Sequence, residues 1–118
     1  MPQTRSYRGV GAGERLAQRR QRFIEAGLDL LGQTDPEELT VRAICAQAGL
    51  TARYFYESFG DKDVFVEAVF DAVTAQLAIG TTRAIAGLPA AEQNRAGVAN
   101  IIRSISDDPR IGRLLFST

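Results

Sequence analysis

The chain has 118 residues, 45% hydrophobic and 24% charged, with 14 basic and 14 acidic side chains, one cysteine and no histidine. That length suits one domain or one and a half, with chain enough to bury a core. A lone cysteine excludes an internal disulfide and a cysteine-based zinc site, no apolar run approaches the ~20 residues of a membrane span, and the N-terminus lacks the apolar stretch of a secretory signal, so a cytoplasmic protein with no membrane partner and no cofactor is expected.

The neutral total conceals a division. Six arginines against Glu14 alone give residues 1–22 a net charge of +5, and eight basic against thirteen acidic residues give the remainder −5. A basic end of this kind seeks polyanions, with a solvated tail as the alternative. Residues 1–13, rich in Gly and Arg, are expected to form a flexible basic arm.

No segment alternates as a strand does, so the expected fold is all-α. A first helix is expected from Glu14 to Gly32, with Leu16, Phe23, Leu30 and Leu31 near helical spacing and Gly27 marking a close approach. "TDPEE" makes the following turn. Thr40 suits the N-cap of a second helix, Val41 to Ala48, which Gly49 ends in positive φ. Thr51 caps a third, Ala52 to Phe59, and Asp61 a fourth that reaches about Ile79. The second and third meet at "AGLT" as a tight bihelical unit, with Leu50 available to plug the seam. Cys45 suits the crossing of those two helices as a small hydrophobe.

The fourth helix has only Glu67, Asp71 and Thr74 as a polar stripe and is expected to be enclosed. Pro89 starts a fifth, with Val98, Ile101, Ile102 and Ile105 on one face, and Asp108-Pro109 a sixth carrying Ile111, Leu114 and Leu115. That last apolar face needs a cover. The helical body therefore looks unfinished, with either further chain or another subunit as the missing layer.

Within residues 46–62 the sequence "AQAGLTARYFYESFGDK" sets three adjacent aromatics beside Arg53, Glu57 and Lys62. "TVRAICAQAGLTARYFYESFGDKDVFVEAV" resembles the DNA-binding part of the TetR family of bacterial transcriptional regulators. The matching features are Thr40-Val41-Arg42, Ile44, Ala48-Gly49-Leu50-Thr51, Phe55-Tyr56, Phe59, Gly60 and Lys62-Asp63. Upstream, "RRQRFIEAGLDLLGQ" resembles the family's first helix, and the likeness spans about residues 14–80. It implies a three-helix helix-turn-helix domain over residues 14–60. Residues 61–118 then hold a connecting helix and part of a helical ligand and dimer domain.

Such a unit lays its second short helix in the major groove, N-terminal residues against base edges. Phe55 and Phe59, four apart, belong to the core, while Tyr56 and Ser58 are directed outward. Base readout is expected from Thr51, Ala52, Arg53 and Tyr54. Arg53 can address guanine O6 and N7, or instead pair with Glu57. Tyr54 reads a base or packs beside the helix. Phosphate contacts are implied for Thr40, Arg42, Tyr56, Ser58 and Lys62, with a plain helix cap as the alternative for Thr40. Arg5 and Arg8 suit the minor groove, and Arg15, Arg19, Arg20 and Arg22 suit the backbone. Glu57 and Ser58 depart from the family, which often carries an aromatic or arginine and a histidine there.

The resemblance implies a homodimer on a near-palindromic operator of double-stranded DNA and an unknown small-molecule effector, with ligand-released repression the usual behaviour and activation left open. A helical protein–protein module that has lost DNA binding is the rival. With no histidine and no Gly-rich phosphate loop, no catalytic site is expected.

Overall fold

Short polar side chains at helix starts satisfy backbone N–H groups that have no partner inside the helix. Thr40 Oγ1 accepts from Ala43 N at 3.0 Å, and Asp61 Oδ1 accepts from Val64 N at 2.9 Å. At the far end of the helix that Thr40 starts, Gly49 stands at φ 71°, and its N–H returns to the Cys45 carbonyl at 2.8 Å. These punctuation marks set the boundaries of the helices around the site. The computed structural model describes residues 2–116, with side chains over residues 11–116. Among these it has α1 (Pro2–Leu31), α2 (Val41–Ala48), α3 (Ala52–Ser58), α4 (Lys62–Ile85), α5 (Ala90–Asp107) and α6 (Pro109–Phe116), and no strand.

The protein is therefore all-α, and α2 falls where its caps put it. The expected boundary at residue 14 is not there, because α1 continues back to Pro2. Proline suits a first turn, since its missing N–H leaves no helical bond unmade. The side chains of Arg5 and Arg8 lie outside the described residues. α3 ends one residue earlier than expected, and α4 runs six residues past Ile79.

One aromatic cluster joins α1, α3 and α4. Phe23 of α1 meets Phe55 edge-on at 5.5 Å, and Phe59, just after α3, meets Phe65 of α4 at 5.0 Å. Phe23, Phe55 and Phe65 are fully buried and Phe59 is 2% exposed. Edge-to-face rings of this kind add about 0.5–1.5 kcal/mol per pair beyond the area they bury. Leu50 packs against this core from the α2–α3 turn, as expected. Cys45 is buried at the α2 face, where burial pushes its thiol pKa up.

Helix α4 crosses α1 closely at Gly27. A Cβ there would stand 2.6 Å from Phe65 Cζ and 2.7 Å from Val69 Cγ2, so the approach needs a residue without one. Phe65, Val69 and Val73 form the buried face, at successive i, i+4 positions. The rest of α4 is less enclosed than its composition implies: Val64 and Ile79 are about half exposed. By length and hydropathy Lys62–Ile85 could also cross a membrane, contrary to expectation. Its packed Phe65 face and its exposed Glu67–Asp71 stripe fit a core helix of a globular body.

Helix α5 folds back on α4 through a left-handed Gly87. The face turned to α4 is Gly97 and Asn100, with Asn100 Nδ2 donating to Thr81 Oγ1 at 3.3 Å and Gly97 buried. Val98, Ile101 and Ile102, expected to be the packed stripe, are exposed instead. Small residues permit close approach, and here they displaced the isoleucines as the contact face.

Helix α6 corrects a further expectation. Its Ile111 and Leu114 are covered, 2% and 3% exposed, as α6 docks on α1. Arg110 fixes that docking: its Nη1 lies 2.7 Å from Asp29 and 3.1 Å from Glu25 of α1, while Nε and Nη2 grip Asp108 at 2.9 and 2.8 Å. The radius of gyration, 17.4 Å, exceeds the ~13.5 Å of a compact chain this long. The body is a slab, 49 × 49 × 21 Å, with the apolar strip of α5 on its surface.

Candidate nucleic-acid interface

Helix α3 is divided along its length. Tyr54, Phe55 and Ser58, with Phe59 at its C-cap, form the side turned to protein, at i, i+1, i+4, i+5 spacing. Ala52, Arg53, Tyr56 and Glu57 form the side turned to solvent. Phe55 and Phe59 are core residues, as expected. The Tyr56 ring meets Phe55 edge-on at 5.2 Å and is 56% exposed, so the body is supported and the rest is wet. Arg53 is the freest side chain of the group, 86% exposed.

Thr51 stands at the N-cap position of α3 with extended backbone, φ −89° and ψ 162°, but makes no side-chain cap bond. The expected cap is missing, and the exposed hydroxyl is left available to a ligand. Thr40 does cap α2, and Arg42 beside it is exposed. Thr40, Arg42, Thr51, Ala52, Arg53 and Tyr56 are all accessible.

Two expected contacts turn inward. Ser58 Oγ is fully buried with no hydrogen-bond partner, so it is not presented to a phosphate. It lies three residues after Phe55 and beside Phe59, on the packed face. Tyr54 is half-buried against the core, and the Arg19 guanidinium lies over its ring at 4.2 Å. Packing, the alternative left open for Tyr54, is what the structure shows. The four-residue step from Tyr54 to Ser58 runs alongside that from Phe55 to Phe59. That pattern was available in the sequence and marks both as inward.

Lys62, at the first turn of α4, is half-buried, and its ammonium donates to the Glu37 carbonyl at 3.4 Å. One long bond leaves donors free for a second acceptor.

The arginines of α1 are more engaged than expected. Arg22 Nη2 donates to the Ala48 carbonyl at 2.7 Å, closing the C-terminal end of α2 with a positive charge. Arg20 lies over the Phe59 ring at 5.0 Å. Arg19 stacks on Tyr54 and stands 3.6 Å from Glu57, and its Nε is buried without a partner. Arg15 is exposed and lines an open groove of about 320 Å³ between α1 and α3 with Arg19, Arg22 and Tyr54. These roles tie α1 to α2 and α3, and sequence position alone carried no sign of them.

Among the described residues, no group of three His, Cys, Asp or Glu side chains is arranged to hold a metal. The arrangement is that of a helix-turn-helix: α2 and α3 joined by a tight left-handed turn, clamped from behind by α1, with a polar outer face on α3. Residues 23–69 match the family described as bacterial regulatory proteins, tetR family. No curated protein matches the chain. Over that span, which takes in the end of α1, α2, α3 and the start of α4, the chain is similar to the N-terminal helix-turn-helix domain of DNA-binding transcriptional regulators of that family. The matched span begins at Phe23, inside the range of residues 14–80 over which the resemblance is visible.

Proposed function

We propose that the protein is a sequence-specific transcriptional regulator that binds a near-palindromic operator as a homodimer and is released from it by a small molecule. The single observation that carries this is the division of α3. Rings at Phe55 and Phe59 hold the helix rigid, and Arg53 and Tyr56 stand out from it. A helix of this shape suits the major groove. Thr51, Ala52 and Arg53 read bases. Thr40, Arg42, Tyr56 and Lys62 hold phosphates, the tyrosine and threonine through hydroxyls and the others through charge. Tyr54 and Ser58 support the helix from behind.

Residues 14–60 form the reading head and residues 61–118 the regulatory part. An open groove of about 450 Å³ between α4 and α5, lined by Ala72, Gln76, Gly80, Arg83 and Ser104, offers the effector a place in the body. A larger groove of about 530 Å³ lies on α1 and α2, lined by Gln21, Arg22, Glu25, Asp29 and Gln47. We favour the α4–α5 groove because α4 leads directly into the head. A ligand there biases the spacing of two heads, and heads off spacing cannot occupy two grooves together. The role is regulatory, in the cytoplasm, and non-enzymatic.

The test is duplex binding across a salt series. Affinity falls steeply with salt when phosphates are contacted. No binding, or binding indifferent to salt, favours the rival reading as a protein–protein module, which the exposed Val98, Ile101 and Ile102 strip would then serve.

A further inference from the structure

Glu57 is the only acid on α3, and it lies on the outer face. An acid so placed opposes phosphate and weakens every DNA complex. Its surroundings give it another use. One carboxylate oxygen lies 3.8 Å from Arg53 Nε, and the other lies 3.6 Å from Arg19 Nη2. Arg19 is itself held, 23% exposed and stacked over Tyr54 at 4.2 Å. A continuous series therefore runs from the Tyr54 ring, through the Arg19 guanidinium and the Glu57 carboxylate, to Arg53, the single arginine of α3.

We infer that Glu57 is a specificity-determining residue that acts by positioning Arg53. This rests on the DNA-binding reading above. The ion pair engages Arg53 through Nε, and the side chain is 86% exposed, so its terminal nitrogens can supply the fork that guanine O6 and N7 require. In water the pair contributes little, because exposed ion pairs are screened. Inside a groove water is excluded and the same pair strengthens. Glu57 thus trades general affinity for discrimination.

The experiment selects duplexes from a random pool with the wild-type protein. It then measures Kd for the best duplex, for its variant at the Arg53-dependent base pair, and for an unrelated duplex. Glu57→Gln removes the charge and keeps the shape. We expect its affinity for the unrelated duplex to rise severalfold, as one repulsive charge is lost. We expect its preference at the Arg53 base pair to fall about fivefold or more. Thermal melting changes little, since both ion pairs are long, 3.6 and 3.8 Å, and Glu57 is 40% exposed. In an Arg53→Ala background, Glu57→Gln changes no base preference. Rising affinity with the preference intact makes Glu57 a repulsive charge only and overturns the inference. An equal loss of preference with and without Arg53 also overturns it. A wild-type protein that selects no duplex defeats the DNA-binding reading instead, which the first step reveals.

Discussion

Arg53 and Lys62 carry the same charge and are expected to do different work. Arg53→Ala relaxes preference at one base pair by about 1–3 kcal/mol, because a fork on a base edge is lost. Lys62→Ala weakens all duplexes about equally and lowers the salt slope by about one contact. Competition binding with single-base variants separates the two, and identical effects would remove the distinction. Gly27→Ala probes the frame behind them. The new Cβ would stand 2.6 Å from the buried Phe65 ring. Overpacking of this kind costs about 1–3 kcal/mol, against the ~1 kcal/mol that alanine returns in helix propensity. A urea melt should show net destabilisation. At this scale the sequence announced what periodicity controls: Phe55 and Phe59 inward, Tyr56 outward, Gly27 in close contact. It did not announce Arg22 on the Ala48 carbonyl or Arg19 over Tyr54. Those contacts join residues 26 and 35 positions apart, and no local pattern encodes them.

Element boundaries followed their caps. Thr40→Ala and Asp61→Ala should each destabilise by about 0.5–2 kcal/mol in thermal or urea melts, since each leaves an amide at a helix start without its acceptor. Thr51→Ala should cost less, because Thr51 makes no cap bond. The face chosen by α5 was not legible. Its isoleucine stripe is the stronger signal, yet Gly97 and Asn100 meet α4, since close approach there depends on size and not on hydrophobicity. The docking of α6 was also missed, because Arg110 reaches Glu25 and Asp29 across more than eighty residues. The start of α6 is sensitive to acid through Asp108. Arg110 hydrogen-bonds Asp108 and holds its carboxyl below the usual carboxylate range. A depressed pKa in the folded state contributes stability above the unfolded value, near pH 4, that is lost as pH falls through the folded one. Hydrogen exchange of α6 amides should therefore accelerate from about pH 4 downward, and Asp108→Asn should flatten that dependence. An equally steep response in the variant would place the acid effect elsewhere.

Across the whole molecule, basic charge and exposed apolar surface are concentrated in different helices. The arginines concentrate in α1, the net acidic sequence lies beyond residue 22, and the exposed apolar strip is on α5. A body this flat leaves apolar surface that a second subunit could cover, and dimer formation would set the spacing of two reading heads. Val98→Asp with Ile102→Asp tests this: sedimentation should show the dimer weakened if α5 lies in its interface, and an unchanged dimer would place the interface on another face. The central claim is narrower, that the outer side of α3 lies in a major groove. Dimethyl sulfate reads guanine N7 in that groove and adenine N3 in the other. On a duplex selected by the protein, we expect guanines in each half-site to be protected, and Arg53→Ala to uncover one of them while its neighbours stay covered. Guanines left fully reactive under saturating protein, with protection confined to adenines, would contradict it.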